Sequence, residues 1–576
     1  MLQAKIKKVI SQAVYTAYGD IVIPEFSVDV PEVAEFGDYA CNVAMMLAKP
    51  LKKKPMEIAG VLIEILEKGG EGLIKKIDIA IPGFINICVA DNVIIGLANE
   101  ALARPGSWGK STEGRDKAVV IDYFALNIAK EPHVGHLRSA VIGDSLKRIL
   151  YALGYKTVAD THVGDWGTQF GILLYGYKHL SLEKNWKALV ERDAFSKLNE
   201  LYVETSNYIK NNPKQREEAK REFAKLEQGD KENREIWQWM VDISMRKLEE
   251  SATRLKLLAF EENMGESAYE DAMPPIVEFA LKKGIARKTD DGAVIVDLTE
   301  ENLDEAILIK SDGATTYLLR DLATIKHRQD KWHFWKNLYV VDNRQSHHFR
   351  QLFRVAELLN FEGVGASEHV DFGFMKLPEG AMSTRAGNVI SLDAVLDEAE
   401  HRARETISEK NPNLKDADMV AKKVGLGAIK FFDLIHNRKS DVTFRWEDAL
   451  SFEGNTGPYI QYTHARLKSI LRKSSDTLSE RFPDNIDLDR EERGLLFSCA
   501  RLAEAMQRVI ETWSPHLLAS YIYGLAQQAN EFYHSHPILS ETNKEKRESL
   551  LMIVQVVVTT LATGLYLLGI DAPEEM

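Results

Sequence analysis

Cysteine is scarce in this sequence. Its 576 residues include three, Cys41, Cys88 and Cys499, which lie far apart and form no Cys-x-x-Cys pair. This spacing excludes a disulfide framework and a four-ligand zinc site, and it favours a reducing compartment. We therefore expect a cytoplasmic protein with no structural zinc and no resident metal.

Positive charge is also in short supply. The chain has 73 Lys and Arg against 86 Asp and Glu, a formal net charge of -13. Phosphate binding needs positive surface, so a uniformly basic nucleic-acid-binding protein is excluded. Net charge does not describe a local patch, however, and a nucleic-acid partner must be inferred from particular segments. An apolar content of 45% with 28% charged residues is typical of a folded soluble enzyme.

Charged residues are absent from one long stretch. From Leu550 to Ile570 the chain reads LLMIVQVVVTTLATGLYLLGI, which is long enough to span a bilayer. Gln555 and three threonines within it, and a chain end only six residues later, favour a buried last helix instead. We therefore expect no membrane partner. Recovery of the protein in a detergent-dependent membrane fraction would contradict this expectation.

What the chain does contain is an alternation of strand and helix patterns. A strand begins at Ala118, apolar residues recur at three- and four-residue spacing from Ile142 to Leu153, and a second strand follows near 157–159. Strand, helix, strand is the opening of a doubly wound parallel sheet. The length exceeds that of one core. We predict three units: residues 1–110, residues 116–395 with a helical insertion at about 181–290, and a helical unit at 396–576.

A candidate site lies where the first of these strands gives way to the helix. The stretch KEPHVGHLR at 130–138 places His133 and His136 on one face of a starting helix, whose amides favour phosphate. Imidazole can donate hydrogen bonds to phosphate oxygens as charge develops there. Gly135 lets a flat base approach the backbone, and Lys130 adds a positive charge. The alternative is a surface helix with two incidental histidines.

The segment 126–136 resembles the HIGH motif region of class I aminoacyl-tRNA synthetases. Its surroundings are similar to the arginyl-tRNA synthetase family, block after block along the chain. The similar blocks are FGDYACNVAMMLAK at 36–49, DYFALNIAKEPHVGHLRSAVIGDSLKRIL at 122–150, HVGDWGTQFG at 162–171, TTYLLRDLAT at 315–324, YVVDNRQSHH at 339–348 and FEGNTGPYIQYTHAR at 452–466.

The resemblance implies an α/β protein with a Rossmann catalytic domain, an N-terminal α+β domain that contacts the tRNA elbow, and an all-helical C-terminal anticodon-binding domain. It implies an arginine–tRNA ligase, which activates L-arginine with ATP to arginyl-adenylate and transfers it to the 3′ end of tRNA(Arg). Mg²⁺ would accompany ATP, and the enzyme would be a monomer. Lys130, His133 and His136 would be catalytic, and these three together with Gly135 would bind ATP.

Arginine has a planar, permanently charged guanidinium, which carboxylates hold best in a fork geometry. The resemblance implies a site made of Asp122, Tyr317 and Asp321 around the guanidinium and of Asn127 and Gln345 at the α-amino and carboxylate groups. Tyr317 and Asp321 are four residues apart, so on a helix they share a face. Without the resemblance, Asp321 and its neighbour Arg320 would make an equally good surface ion pair.

One departure from the family pattern precedes Asn127. Where Ser-Ser-Pro-Asn or Ser-Ala-Pro-Asn is usual, this chain has Phe124-Ala125-Leu126-Asn127. Hydroxyl contacts to the substrate from Phe124 and Ala125 are impossible, and the turn loses its proline. Backbone groups would have to take over these contacts.

The stretch Ala381–Asn388 stands where class I enzymes carry the KMSKS loop, whose lysines neutralise the leaving pyrophosphate. Here AMSTRAGN lacks both lysines, which leaves Arg385 and the nearby Lys376 as cations. By the resemblance, Ser383, Thr384 and Arg385 would bind ATP. An ordinary polar loop is the alternative.

The tRNA contacts are expected in two places. In PGFIN, Phe84 and Asn86 would lie near a D-loop base by the resemblance, although Phe84 suits a core position equally well. In HARLKSILRK, Arg466 and Lys468 lie along a helix that would face the anticodon stem, and a solvated charged face is the alternative. The family's usual ending PERM reads PEEM here, so Glu575 replaces an arginine.

Two other functions compete with an arginine–tRNA ligase. A non-catalytic tRNA-binding relative is motivated by the altered positions Phe124, Leu126, Ala381 and Glu575. The intact histidines of the HIGH-like segment speak against it. Another class I synthetase is disfavoured by the absence of clustered zinc-ligand cysteines and by the Tyr317 and Asp321 pair.

The weakened second loop leads to a prediction about lysine. Lys130 stands next to the HIGH-like histidines and offers a replacement charge for the phosphate. Lys130→Ala should therefore lower the rate of adenylate formation far more than Lys376→Ala, as measured in single turnover. Equal losses in the two variants would contradict this role for Lys130.

Overall fold

The computed structural model describes residues 1–70, 72–180, 194–376, 391–474, 478–483 and 486–576. The first unit is a four-stranded antiparallel sheet of order β1-β2-β4-β3 that is packed by helices. Its elements are α1 (Leu2–Tyr18), β1 (Val28–Asp29), β2 (Tyr39–Cys41), α2 (Val43–Leu51), α3 (Pro55–Gly69), β3 (Ile74–Ala80), β4 (Phe84–Val89) and α4 (Asp91–Ala103). The predicted α+β character of this unit is confirmed.

The second unit is built on a parallel sheet of order β11-β10-β5-β6. Its strands are β5 (Ala118–Asp122), β6 (Lys156–Asp160), β10 (Lys336–Tyr339) and β11 (Ser367–His369). Every residue of β5 is buried, as expected of a strand covered on both faces. Strand β6, which follows β5 in the chain, lies on one side of β5, and β10 lies on its other side. A crevice therefore opens beyond the carboxyl ends of β5 and β10, where open α/β sheets bind ligands.

Helix α5 (Val134–Ala152) joins β5 to β6 and is buried on nearly all sides. One side lies on the parallel sheet, and the other lies against helices of the C-terminal unit. An all-round buried helix is normally apolar, yet α5 carries four buried charges: Arg138, Asp144, Lys147 and Arg148. Each has a partner, so these side chains attach the helix to its surroundings.

A helical insertion and a small sheet interrupt the parallel strands. The insertion packs α7 (Ala194–Lys210), α8 (Pro213–Glu227) and α9 (Lys231–Arg254) against α6 (Thr168–Tyr175). After α10 (Met273–Lys282), the strands β7 (Arg287–Lys288), β8 (Val294–Val296) and β9 (Ala306–Ile309) form an antiparallel sheet of their own. Helix α11 (Tyr317–Trp332) then leads into β10, and α12 (Ser346–Leu358) into β11.

The C-terminal unit is almost entirely helical, as predicted. Between it and the parallel sheet, β12 (Met375–Lys376) pairs with β13 (Val442–Thr443) in parallel. The helices are α13 (Leu392–Lys410), α14 (Ala417–Leu434), α15 (Trp446–Ala449), α16 (Gly457–Lys473), α17 (Arg490–Ala500), α18 (Leu502–Thr512), α19 (His516–Ser535) and α20 (Lys544–Leu567).

Helix α20 contains the uncharged stretch and is long and apolar enough to cross a membrane. Of its most apolar 18-residue window, 78% is buried inside the protein. Its polar groups find partners within that core: the Thr560 hydroxyl accepts a hydrogen bond from Trp108 Nε1 at 3.0 Å and donates to Val556 O at 2.8 Å. This helix therefore fills the centre of the C-terminal unit, as a core helix does.

A buried ion pair joins α5 to α14. Arg138 Nε lies 2.7 Å from Asp433 Oδ1, with the side chains 1% and 0% exposed. The Arg138 guanidinium also donates to the carbonyls of Gly373 and Ser440. Lys430, equally buried, donates to Gly569 O at 2.7 Å, and burial lowers its pKa to about 8 although Asp144 acts against this. The Lys430 contact joins α14 to the segment that follows α20. Both contacts are needed because an unpaired buried charge is strongly destabilising.

The buried pair leads to a stability prediction. Asp433→Ala leaves Arg138 charged, buried and without its carboxylate, and should lower the free energy of unfolding by about 3–5 kcal/mol. Asp330→Ala removes the partner of Lys326, in a pair whose side chains are 64% and 52% exposed. This substitution should change the free energy of unfolding by less than about 0.5 kcal/mol. Urea unfolding followed by tryptophan fluorescence compares the two. Similar losses would contradict the structural role of Arg138 and Asp433.

Candidate active site

A cavity of about 1030 Å³ opens at the carboxyl ends of β5 and β10. It is lined by the start of α5, by the segment before it, by α11 and by the loops after β10 and β11. Of the predicted site residues, eight line it: Asp122, Asn127, His133, Gly135, His136, Tyr317, Asp321 and Gln345. Residues that are distant in the chain, and that the resemblance assigned to one site, therefore share one cavity.

His133 and His136 form the first turn of α5. His133 is the N-cap residue, and its Nδ1 accepts the backbone N–H of Gly135 at 3.0 Å. His136 Nδ1 accepts the backbone N–H of His133 at 3.1 Å, and the two rings stack with centroids 3.9 Å apart. Since each Nδ1 is an acceptor, each neutral ring carries its proton on Nε2. Both histidines are thereby prepared as hydrogen-bond donors.

The electrostatics keep these rings neutral. Burial lowers the pKa of His136 to about 3, and the nearby His133 and Lys130 add to the effect. Burial also lowers the pKa of His133, helped by Arg344 and Lys130. The structure indicates a second constraint that favours glycine at position 135, in addition to the approach of a base. A Cβ there would lie 2.8 Å from the His133 ring, so a side chain would displace that histidine.

The segment between β5 and α5 has an unusual backbone. Phe124 and Ala129 both have φ of 58°, a left-handed conformation that costs a non-glycine residue free energy. Phe124 is fully buried and donates its backbone N–H to Ser139 Oγ at 2.9 Å, while Ala125 faces the cavity. The altered residues thus keep a defined turn without the proline. The amide of Asn127 packs against Gly164, whose Cβ would lie 2.6 Å from Asn127 Oδ1.

Asp321 is held by two histidines at the cavity wall. His348 Nε2 lies 2.6 Å from its Oδ2, and His162 Nε2 lies 3.5 Å from its Oδ1. Burial would raise the pKa of Asp321, but these two rings outweigh it and lower that pKa well below its usual range. Burial would lower the pKa of His162, but Asp321 and Asp122 raise it to about 9. The site therefore presents an ionised carboxylate, as a guanidinium requires.

The suggested surface ion pair between Asp321 and Arg320 is wrong. Arg320 turns the other way and pairs with Glu266, Nη1 to Oε2 at 2.7 Å, with both side chains buried. Tyr317 and Asp321 both face the cavity, as their spacing on α11 predicted. Arg320 pairs with Glu266 and not with Asp321 because it lies on the face of α11 that is turned toward the protein interior, where Glu266 is also buried.

Asp122 was expected to be available to bind the guanidinium of arginine, but its carboxylate is already paired within the chain. Its Oδ2 lies 2.7 Å from Arg328 Nη2, and the same guanidinium contacts Asp160 Oδ2 at 2.7 Å. Both pairs are buried, and burial raises the pKa of Asp122 although Arg328 acts against it. The chain's own arginine thus already occupies one side of Asp122, and no local pattern predicts this pairing because the two residues are 206 positions apart.

Several cavity residues were missed by sequence reasoning, and four of them carry titratable or charged side chains that bear on the site: Glu266, His162, Arg344 and His348. Glu266 lines the cavity, and burial raises its pKa to about 7 although Arg320 acts against this. His162, Arg344 and His348 also line it. For three of them a signal existed: His162, Arg344 and His348 lie inside the blocks HVGDWGTQFG and YVVDNRQSHH that were used to identify the family.

Lys130 and Lys376, the two predicted cations that the structure describes, do not line the main cavity. Lys130 borders a small neighbouring cavity with Asn127, and its ammonium lies 5.5 Å from the centroid of the Tyr202 ring. Lys376 Nζ lies 2.7 Å from Asp441 Oδ2. Ser383, Thr384 and Arg385 lie outside the described residues, as does Ala381.

The predicted tRNA contacts divide into two kinds. Phe84 is half-buried at the start of β4, and Asn86 is buried on the same strand, so Asn86 has little surface open to a base in this structure. On α16 the Arg466 guanidinium lies 4.0 Å from the centroid of the Tyr533 ring, and Lys468 Nζ lies 3.1 Å from Glu574 Oε1. Both basic side chains are therefore held by the C-terminal unit itself.

Comparison with known proteins identifies relatives along the whole chain. Three family models match: the arginyl tRNA synthetase N terminal domain over residues 1–89, the class I (R) tRNA synthetase catalytic domain over 98–446, and the DALR anticodon binding domain over 460–576. Arginine–tRNA ligase of Clostridioides difficile is 38% identical over 559 residues, covering 96% of each chain. That of Alkaliphilus metalliredigens is 38% identical and covers 95% of each.

Solved structures agree with the sequence relatives. The arginyl-tRNA synthetase of Thermus thermophilus superposes with a TM-score of 0.84 at 27% identity, covering 100% of both chains. That of Plasmodium falciparum superposes with a TM-score of 0.81 at 25% identity, covering 100% of this chain and 99% of the other.

The two kinds of histidine lead to a prediction about pH. His136 should remain neutral with its proton on Nε2 from pH 5 to 8, because its pKa is about 3, whereas His162 should stay protonated at pH 7, because its pKa is about 9. The raised pKa of His162 stabilises the fold fully below its ordinary pKa of 6.5, and this stabilisation is lost as pH rises through 9.

Nuclear magnetic resonance of ¹³C- and ¹⁵N-labelled histidine measures these states directly. Variants such as His136→Gln assign the signals, and the ¹⁵N shifts report the tautomer. A midpoint above pH 6 for His136, or below pH 7 for His162, would contradict the assignment.

Proposed function

Because the chain belongs to the class I arginyl-tRNA synthetase family and is an arginine–tRNA ligase, we propose that the cavity described above is where it forms arginyl-adenylate. The enzyme activates L-arginine with ATP and transfers the arginyl group to tRNA(Arg). The two competing functions, a non-catalytic relative and a class I synthetase of another specificity, are therefore wrong. The observation that carries the proposal is the convergence of the HIGH-like histidines and of Asp321 on one cavity.

Arginine lies with its guanidinium at Asp321 and Tyr317 in this proposal. Asp321 supplies the charge, and His348 and His162 fix the position of its two oxygens. Tyr317 has 61% of its surface exposed and offers a ring face and a hydroxyl to the same group. Asp122 contributes at longer range, since its carboxylate is shared with Arg328. Asn127 and Gln345 face the cavity and serve the α-amino and carboxylate groups.

ATP lies at the first turn of α5 in this proposal. The Nε2 protons of His133 and His136 donate to phosphate oxygens, and the helix amides add their favourable dipole. The arginine carboxylate attacks the α-phosphorus, the bond to pyrophosphate breaks, and negative charge develops on oxygens that these donors meet. Both rings are neutral and oriented beforehand, so the enzyme stabilises charge without moving a proton.

We infer that Mg²⁺ enters with ATP, held by phosphate oxygens and water, as Mg²⁺ commonly is. Among the described residues, the one group of three side chains spaced to share a metal ion is Asp489, Glu492 and His536. These lie on α17 and beyond α19, not at the cavity. The cavity's own carboxylates already hold Arg328, Arg320 and two histidines. The absence of structural zinc stays a prediction.

Several further properties are proposals. The three predicted units would have separate functions: residues 1–110 would contact the tRNA elbow, residues 116–395 would catalyse the reaction, and residues 396–576 would bind the anticodon. The three matched family ranges support their number and order. We propose a cytoplasmic monomer, which three free cysteines suit. In the tRNA complex, Arg466 and Lys468 would exchange their contacts within the chain for phosphate.

The arginine subsite is tested by its carboxylate. Asp321→Asn removes the charge that pairs with the guanidinium, so kcat/KM for arginine in ATP–pyrophosphate exchange should fall at least about 30-fold, as for a buried charge pair that loses one partner. The KM for ATP should stay within about twofold. Asp330→Asn, an exposed carboxylate on the same helix, is the matched control. The assays contain tRNA(Arg), because the family implies tRNA-dependent activation.

Citrulline sharpens this test, because it has arginine's shape without its charge. The parent enzyme should reject citrulline strongly, and Asp321→Asn should lose most of that discrimination. An Asp321→Asn enzyme with unchanged arginine kinetics would refute the placement of the guanidinium.

A further inference from the structure

Arg344 is the most accessible positive charge on the cavity wall that the structure describes. Four carboxylates line this cavity (Asp122, Glu266, Asp321 and Asp342), and two guanidinium groups do (Arg138 and Arg344). Arg138 is 1% exposed and contacts Asp433 and two carbonyls. Arg344 has a side chain that is 67% exposed. A nucleoside triphosphate that enters this cavity brings several negative charges and needs an accessible cation such as this guanidinium.

The position of Arg344 is fixed by two neighbours. Its guanidinium lies over the ring of Phe374, 3.7 Å from the centroid. Its Nε and Nη2 donate to the two carboxylate oxygens of Asp342 at 2.9 and 2.8 Å, a bidentate arrangement. Asp342 also caps the turn that contains Arg344 by accepting its backbone N–H at 2.8 Å. The planar group is thereby preorganised, with one flat face on an aromatic ring and its fork on an anion.

Arg344 lies on the nucleotide side of the cavity. It is one of the two cations that lower the pKa of His133, so its charge reaches the first turn of α5. Its partner Phe374 belongs to the loop segment whose Gly373 carbonyl is held by Arg138 of the same helix. The KMSKS-like stretch supplies a single cation, Arg385, in place of lysines. The charge that balances the phosphates must come partly from elsewhere.

We propose that Arg344 binds the phosphates of ATP: its guanidinium exchanges the Asp342 carboxylate for phosphate oxygens and stays stacked on Phe374. The proposal rests on the proposed function of the cavity. It predicts that the residue acts on ATP and pyrophosphate rather than on arginine. Exchange of one anion for another keeps the Arg344 guanidinium paired throughout, and Asp342 keeps the backbone N–H of Arg344 as a hydrogen-bond donor.

The test is ATP–pyrophosphate exchange with arginine and tRNA(Arg) present. Arg344→Gln should raise the KM for ATP about tenfold, the usual effect of losing one charge-assisted hydrogen bond, and leave the KM for arginine within about twofold. Arg344→Lys should recover part of the loss, since it restores charge without the planar fork. The control is Arg354→Gln on α12, whose guanidinium is paired with Glu301 away from the cavity and which should behave like the parent enzyme.

Adenosine separates phosphate binding from packing. It carries the base and ribose of ATP without phosphate, so its inhibition constant should be the same in the parent enzyme and in Arg344→Gln. Adenosine binding that weakens as much as ATP binding, with Phe374→Leu giving the same loss and Arg344→Lys no recovery, would show that Arg344 only packs the wall and would overturn the proposal. A raised KM for arginine alone would overturn it in favour of a carboxylate contact.

Failure of this inference is distinguishable from failure of the proposed function. If the cavity does not form arginyl-adenylate, Asp321→Asn leaves the arginine kinetics unchanged. If the cavity does so and Arg344 has no part in ATP binding, Asp321→Asn is impaired while Arg344→Gln matches Arg354→Gln.

Discussion

The ion pair between Arg138 and Asp433 holds helix α5 between the parallel sheet and the helical C-terminal unit. Because His133 and His136 form the first turn of that helix, its position decides where their Nε2 protons point. Farther along, Lys147 is paired with Glu261, and Arg148 with Asp144. In the two pairs whose side chains are both buried, Arg138 with Asp433 and Arg148 with Asp144, separation of the partners costs about 3–5 kcal/mol. Preorganised donors need such restraint, since a displacement of about 1 Å can remove most of their effect.

The same construction makes the cavity depend on two units of the chain. Asp433 belongs to α14, while Gly373 and Ser440, whose carbonyls accept from Arg138, belong to the segments around β12 and β13. One guanidinium thus joins the nucleotide wall to the start of the C-terminal helices. Helix α14 also packs directly on α5, so the position of the histidines depends on both units of the chain.

The sequence predicted the parts of this molecule that depend on local pattern. Strand β5, the start of α5 at His133 and the shared face of Tyr317 and Asp321 follow from spacing and residue type alone. Pairing across long separations did not follow. Arg328 contacts Asp122 from 206 residues away, and Glu266 meets Arg320 from 54 residues away. The ion-pair partner of a charged residue cannot be identified from sequence when it lies far away in the chain. For this reason the pairing of Asp122 with Arg328 and of Arg320 with Glu266 was not predicted.

The last residues show how such pairing changes the meaning of a substitution. Glu575 stands where the family usually has arginine, and in sequence this looks like the loss of a tRNA contact. In the structure Glu575 Oε1 lies 3.2 Å from Arg472 Nη2, and Glu574 Oε1 lies 3.1 Å from Lys468 Nζ. The acidic end thus covers two cations of α16. These pairs are partly exposed and therefore weak, so a polyanion could displace them at little cost. Glu574 is present in the family's usual ending as well, so the change at position 575 adds a competitor for one of these cations, Arg472, and replaces a positive charge near α16 by a negative one. Phosphate is the same in every nucleic acid, so such a loss of positive charge lowers affinity at this end more than it alters specificity.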